Sequence, residues 1–508
     1  MRIIELEVKS NWKNLEGFKI CFSNRDVTVL LGRNGSAKSN LLETLIRIFI
    51  DIDINKPTPF SYALKYEIGG ENIEIEGTKF KVVKAKKNGS NISYNQLKND
   101  YTPRYIIGYY SGSSDRFDEL FKHHDKEALN STLRPQVPGE KLTFRKFINA
   151  RPVHGLYALL SFYLNHDKEI VEFLQEFPRI EGFDSATIVL KKPDWAKKGA
   201  SSLDFWGAKG PVGDLINSIR KHSMAPFTRQ VFVNTDFRKR EKREVMYLHL
   251  PDLESLQNLA SEYGKDPKTF FQALDTLRLS DLVEDFRVRV KVKGANKAIH
   301  TRQLSEGEQQ LLTVLGLMRF TQDSESLYIL DEPDTHLNPS WGLDYLERLR
   351  NIGGINRDSH TILATHDPLL VAGLVKEEIR ILTRNQQGRI LAAQPEESPR
   401  GIGVAAVLTS ELYGLESQLD VFSLKVLKRI YEVSLLETYP QKTEHLRRLR
   451  KIIPGLSATD TSPDPYRNIA KLAYKEAVNL AIESNDSTEI KLKAIEKLAS
   501  FLFEESKI

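Results

Sequence analysis

Two short stretches of this sequence carry residue types that handle phosphate. The first is Gly32-Arg33-Asn34-Gly35-Ser36-Ala37-Lys38-Ser39, which follows the apolar run VTVLL and leads into the amphipathic segment LLETLIRIF. Small residues let successive backbone N–H groups curl around phosphate oxygens, and a helix starting near Lys38 aims its N-terminus at the same charge. Lys38 is then the cation that bridges the outer phosphates, Ser39 the residue that holds magnesium, and Asn40 the end of the binding stretch. Ala37 departs from the usual pattern, which has glycine before the lysine; a methyl group there is expected to tighten or distort the loop and to slow turnover. The second stretch, Leu327-Tyr328-Ile329-Leu330-Asp331-Glu332-Pro333, is an apolar strand ending on two carboxylates. Asp331 is placed to reach a magnesium ion through water, and Glu332 to polarise the water that attacks a γ-phosphate.

Two further stretches read differently alone and together. Leu304-Ser305-Glu306-Gly307-Glu308 opens a helix, with Ser305 as N-cap and Glu308 closing a capping box. A capped N-terminus with a glycine beside it is also an anion site. Thr361-Ile362-Leu363-Ala364-Thr365-His366-Asp367 is a strand that ends on a histidine, most simply a structural one. Between these stretches lies DEPDTHLNP, in which Asn338 and Pro339 suit the N-cap and first residue of the next helix.

The elements needed to position these groups follow from hydrophobic periodicity. Strands are expected at 3–8, 17–22 and 26–31, a small antiparallel meander at 60–86, and a strand from Arg104 to Tyr110. From about 115 to 300 the pattern becomes mixed and mostly helical, with helical segments at 144–177, 209–222 and 252–282, before the strand FRVRVKVKG at 286–294. A helix at 305–320, a strand at 327–331, a helix from Pro339, a strand at 361–365 and two short strands at 378–393 then alternate as α/β. After 402 the chain reads as helical, with Leu424, Leu427, Tyr431 and Leu435 on one stripe and Leu472, Ala473, Val478 and Ile482 on another.

Composition narrows the classes. The 508 residues are 40% hydrophobic, enough for a sizeable core in more than one domain. Cys21 is the only cysteine, which excludes a disulfide framework and a cysteine metal site and suits a reducing cytoplasm. The N-terminus lacks a signal-peptide core and no run is long enough to span a membrane. The net charge of +5 is too weak to argue for nucleic acid alone. Two basic clusters, Arg238 to Arg243 and Arg447 to Lys451, fit phosphate contacts and solvated faces equally.

The four motifs, in this order, resemble those of ABC-type ATPases, and the loop GRNGS with DEPDTHLNP resembles the RecF/SMC-like branch of that family. The resemblance implies an α/β fold: an ABC-type P-loop NTPase head with an inserted mostly helical lobe and a helical C-terminal domain. The expected boundaries are 1–115 and 285–395 for the two parts of the ATPase core, 116–284 for the lobe and 396–508 for an interaction domain. It implies ATP and Mg2+ as cofactors, with the nucleotide sandwiched between two subunits. Ser305 and Gly307 would touch the γ-phosphate held by the second subunit, with Glu308 beside them in the nucleotide-binding set, His366 would contact the γ-phosphate within its own, and Asp334 would sit in the loop that crosses the dimer seam. The glutamine loop is the gap: YIIGYYSGSSDR ends near Ser111 without a glutamine, and Gln96 is a poor substitute.

A transporter domain would need a far shorter segment than the 265 residues between Ser39 and Ser305, and a true SMC protein would carry a long coiled coil there. Within the branch the sequence is most similar to the ATPases of bacterial antiphage systems, the Septu and retron-associated group, with the OLD and PARIS groups as relatives. That resemblance implies a cytoplasmic homodimer or higher homo-oligomer, working with an HNH-type or other nuclease subunit, DNA, and in retrons a reverse transcriptase with its RNA–DNA product. The tail offers no Toprim-like acidic constellation, since Asp460 and Asp464 lie in a Pro/Ser loop. Two other functions remain open: a RecF-type DNA-repair ATPase without a nuclease partner, and an ATP-bound scaffold with negligible turnover.

Overall fold

The phosphate-loop strand Val27–Leu31 is buried along its whole length, as are Ser326–Asp331 and Ser359–Ala364. Strands covered on both faces read as unbroken apolar runs, and in the computed structural model these three lie side by side in parallel. They are the centre of a seven-stranded sheet. Its order is Ile390–Ala393, Ile379–Arg384, Val27–Leu31, Ser359–Ala364, Ser326–Asp331, Tyr105–Tyr110, Phe147–Asn149, parallel except for the first pair. The structure describes residues 1–112, 114–133, 145–164, 167–236, 239–322, 325–354, 358–415, 417–435 and 442–452.

Register decides where the chemistry gathers. Leu30 pairs with Ala364, Ala364 with Asp331, and Asp331 with Tyr110. The C-terminal ends of these strands therefore lie on one edge, the edge where open parallel sheets bind ligands.

The expected meander is a second, antiparallel sheet of six strands in the order Phe18–Cys21, Arg2–Val8, Tyr62–Ile68, Glu71–Thr78, Lys81–Lys87, Ser90–Ile92. Tyr62–Ile68 and Glu71–Thr78 alternate buried and exposed positions, the mark of a sheet covered on one face. The phosphate-loop helix Lys38–Asp53 buries Leu41, Leu42, Leu45, Ile46 and Phe49 in a core shared with both sheets. Buried His360 helps to join them: its Nδ1 accepts from the Ile3 amide at 3.1 Å and its Nε2 lies 3.0 Å from the Thr28 hydroxyl. Burial lowers its pKa to about 3, so the ring is neutral.

Residues 116–284, expected to be mostly helical, contain strands as well as helices. Helices Pro152–Phe162, Lys168–Glu176, Gly210–His222, Leu253–Ser261 and Pro267–Leu279 fall in the expected segments, with Asp266 capping the last of them. The lobe also holds an antiparallel sheet in the order Phe227–Asp236, Lys239–Leu250, Ile180–Lys191, Val283–Val292, Ile299–His300. Ile180–Lys191 is buried on most of both faces and Phe227–Asp236 begins fully exposed, so neither shows a clean two-residue alternation. Residues 1–401, lobe included, form one compact unit.

The second unit starts at Ile402. Its described part is helical, with Val404–Thr409, Val421–Leu435 and Lys442–Ile452, and Val426 and Val433 are its most buried positions on the middle helix. Leu472, Ala473, Val478, Ile482, Asp460 and Asp464 lie outside the described residues, as does Arg238. Arg448 of the second basic cluster is exposed and pairs with Glu444 at 3.1 Å. Among the described residues no helix is long and apolar enough to cross a membrane.

Candidate functional site

At the C-terminal edge of the parallel sheet the chain leaves Leu31 into a tight loop. Gly32 has φ 152°, and a Cβ there would sit 2.4 Å from the Leu382 carbonyl oxygen, so only glycine fits. Arg33 and Asn34 form the exposed tip, closed by the Ser36 amide donating to the Arg33 carbonyl at 3.0 Å. Arg384, at the end of the neighbouring strand, donates to the Gly35 carbonyl at 3.1 Å. Ala37 then takes φ 75°, ψ 15°, the left-handed region that glycine occupies without strain. For an L-residue that conformation costs about 1–2 kcal/mol. The departure noted in the sequence is therefore a strained residue directly before the lysine.

Lys38 is buried, and its ammonium donates to the Gly32 carbonyl at 2.9 Å and to His366 Nε2 at 2.7 Å. Burial lowers the Lys38 pKa, while Glu332 and Asp331 hold it up. Burial and the Lys38 charge together lower that of His366. The lowered pKa of His366 favours the neutral ring, whose Nε2 can accept from Lys38. The same nitrogen lies 3.4 Å from Glu332 Oε1. Lysine, histidine and glutamate, assigned from three separate motifs, thus meet at one point.

Glu332 has φ 53°, a strained conformation worth on the order of 1–3 kcal/mol that is typical of functional positions. Its amide donates to the Ala364 carbonyl at 2.9 Å and its own carbonyl accepts from Gln310 Nε2 at 3.3 Å. Gln310 belongs to the helix Glu306–Thr321 that follows Ser305, so this helix is tied to the backbone of Glu332.

Asp331 is 1% exposed, and neither of its carboxylate oxygens has a hydrogen-bond partner among the described residues. Burial raises its pKa to about 6, opposed by the Ser39 hydroxyl and by the charges of Arg116 and Lys38. A buried, unpaired carboxylate facing a serine at a helix N-terminus fits a magnesium ion that also takes phosphate oxygens. Ser39 and Asp331 would hold it, and when bound it would neutralise charge on the outer phosphates.

The remaining candidates separate from this cluster. Asn40 gives its amide to Asn14 at 2.7 Å, beside Trp12, which donates to Thr44 at 3.0 Å. Asp334, expected in the loop crossing a dimer seam, is 6% exposed and accepts from the Thr365 hydroxyl. Burial lifts its pKa to about 7 against the pull of that hydrogen bond. Thr365 also caps the Asp367 amide at 2.8 Å, so Asp334 supports the turn that carries His366. Ser111 stands where a glutamine is missing, its amide on the Asp331 carbonyl at 3.2 Å and its hydroxyl 3.3 Å from that of Thr335. Gln96 closes a capping box with Ser93 on the helix Tyr94–Asp100 after the antiparallel sheet.

Ser305 and Glu308 form the expected box: the Glu308 amide donates to Ser305 Oγ at 3.3 Å, and Glu308 Oε2 accepts from the Ser305 amide at 2.7 Å. Ser305 is exposed, while Gly307 is pressed against the loop after Glu332, where a Cβ would meet the His336 carbonyl at 2.4 Å. Among the described residues no hydrogen bond or ion pair joins Ser305, Gly307 or Glu308 to the phosphate loop. Sequence reasoning gave no role to Arg384, Gln310, Thr365 or Arg116, because their contacts are long-range and no local pattern marks them.

Parts of this chain are similar to known proteins. Residues 203–372 match the family model described as "AAA domain, putative AbiEii toxin, Type IV TA system". The Septu protein PtuA of Bacillus mycoides (strain KBAB4) is 26% identical over 176 residues, 33% of this chain and 24% of that protein. The chain thus spans about a quarter of the length of that relative. The "Retron Vc95 probable ATPase" of Vibrio cholerae serotype O1 biovar El Tor is 21% identical over 439 residues, 77% of this chain and 75% of the other. Among solved structures, the SMC head domain from Thermotoga maritima overlaps with a TM-score of 0.32 at 14% identity, covering 78% of this chain and all of that one. In the order of its motifs and the sheet edge on which they meet this chain resembles ABC-type P-loop ATPases, and in sequence it is similar to ATPases named for Septu and retron systems.

Proposed function

We propose that this chain is the ATP-binding and ATP-hydrolysing subunit of a cytoplasmic antiphage-defence complex, and that two copies close head to tail on ATP to control a separate nuclease acting on nucleic acid. One observation carries the reading: Lys38, Glu332 and His366 meet at one sheet edge, while the capped helix start at Ser305 faces solvent without reaching them. A second copy would bring its Ser305 and Gly307, held by the Glu308 capping box, to the γ-phosphate and complete the site. Lys38 and the loop amides bind the phosphates, Glu332 orients and deprotonates the attacking water, and neutral His366 contacts the γ-phosphate. The relatives named for Septu and retron systems support the defence setting, with an HNH-type nuclease or a reverse transcriptase and its product as partners.

Lys38→Ala should abolish nucleotide binding, and Glu332→Gln should hold ATP and sediment as a dimer. A Glu332→Gln protein that hydrolyses ATP like the parent removes Glu332 from the role of base. Mass spectrometry of the complex purified from its host tests for the nuclease. The strained Ala37 favours a second reading, in which turnover is negligible and ATP holds a scaffold together. Turnover of the purified protein with and without DNA separates the two.

A further inference from the structure

The outer face of the lobe sheet carries aromatic surface and charge that the nucleotide site does not use. Cross-strand pairing sets Phe227 opposite Tyr247, Tyr247 opposite Val189, and Val189 opposite Asp285. Directly opposed residues share a face, as do residues two apart on one strand. Arg229, Arg287, Arg289 and Lys291 therefore stand on the same face as the two aromatic rings. The intervening Phe286, Val288 and Val290 are buried, so the strand Val283–Val292 turns its apolar residues to the core and its cations outward.

Phe227 is 55% exposed, and its ring stacks on Tyr247 with centroids 4.9 Å apart and planes within 10°. The stack lies on the strand pair at one margin of the sheet, and the row of cations lies two strands away, about 10 Å at the usual strand spacing, across Val189, which is buried. Part of the charge is neutralised in place. Asp285 pairs with Arg287 at 2.6 Å and with Arg302, and Arg289 donates to the Ala298 carbonyl at 2.7 Å and lies 3.9 Å from Asp184. Arg229 and Lys291 form no ion pair among the described residues, and cations outnumber carboxylates across the face.

A sheet with stacked aromatics at one side and cations beside them suits a ligand with both flat apolar faces and regular negative charge. An unpaired polynucleotide strand has both, because every base offers a π-face and every linkage a phosphate. A duplex keeps its base faces inside the stack. We propose that this face of the lobe binds a single polynucleotide strand, with bases stacking on the Phe227–Tyr247 pair and phosphates on Arg229, Arg287, Arg289 and Lys291. The site shares no residue with the nucleotide site and binds without ATP, so it stands or falls independently of the proposed ATPase cycle.

Fluorescence anisotropy of the full chain tests this with labelled oligo-dT, oligo-U and a DNA duplex of equal length. Both single strands should bind more tightly than the duplex, and the stronger of the two names the natural strand. Phe227→Ala with Tyr247→Ala should weaken strand binding about tenfold. Arg287→Glu with Arg289→Glu, on exposed positions, should weaken it further and flatten its salt dependence, with an unchanged circular dichroism spectrum as the check on folding. ATP turnover should be unchanged in the charge-reversed protein, which separates this outcome from a failed ATPase reading. Equal affinity for the duplex, no binding by the parent, or undiminished strand binding in the charge-reversed protein overturns the proposal. So does a change in oligomeric state without a change in strand binding, which would make the face an interface between copies.

Discussion

The phosphate edge of the sheet and the helix start at Ser305 are both anion sites by type, and they are built in opposite ways. At the sheet edge, strand register forces Lys38, Asp331, Glu332 and His366 together, leaving Asp331 unpaired and Ala37 and Glu332 strained. At Ser305 the capping box satisfies the local donors, Glu306 and Glu308 crowd the first turn, and the group faces solvent. One region stores unmet polar groups and strain, and the other is locally complete. A site that must act on a ligand is expected to be of the first kind, and one that approaches from another chain of the second.

The largest effect expected at the first region is in turnover. Glu332→Gln should lower kcat by roughly 100- to 10,000-fold, as removal of a general base does, with ATP binding kept; steady-state hydrolysis and equilibrium binding check it together. Ser305→Arg should reduce turnover about 100-fold by blocking the second region, while leaving nucleotide affinity of the single chain within a factor of about two. Equal loss of affinity in the two variants would erase the contrast.

Asp334 sharpens the comparison through pH. Its folded-state pKa is raised to about 7 from 3.8, so the folded chain holds this proton where the unfolded chain has lost it. Its ionisation therefore costs stability as pH rises from about 4 to 7, and the cost is absent below that window. Asp334→Asn keeps an acceptor for Thr365 without the charge. Its stability advantage over the parent should widen by about 2 kcal/mol between pH 5 and pH 7.5, read by chemical denaturation. The smallest effect is at Ala37. Ala37→Gly relieves the left-handed strain and should stabilise the chain by about 0.5–1 kcal/mol, seen as a raised melting temperature and tighter ATP binding.

The parallel strands were legible because burial on both faces writes itself as continuous apolar sequence, as in VTVLL and LYILD, and the motifs sit at their ends. The capping box at Ser305 was legible because its partners are three residues apart. Other features were not, because distant contacts set them. Asp334 looks like an exposed loop residue until Thr365, 31 positions away in sequence, is placed against it. Gln310 and Arg384 acquire roles only through Glu332 and Gly35. The lobe sheet escaped because Ile180–Lys191 is covered on most of both faces and Phe227–Asp236 begins with a run of exposed residues, so neither of these strands has a two-residue period to read.

The central claim is that the two regions work on the same nucleotide from different chains, and mixing two inactive proteins tests it most directly. Lys38→Ala destroys the phosphate edge and Ser305→Arg destroys the helix start, so neither alone can build a complete site. A mixed dimer holds one intact edge facing one intact helix start. Mixing equal amounts should restore measurable ATP hydrolysis; a mixture that co-assembles by pull-down yet stays inactive would contradict the account.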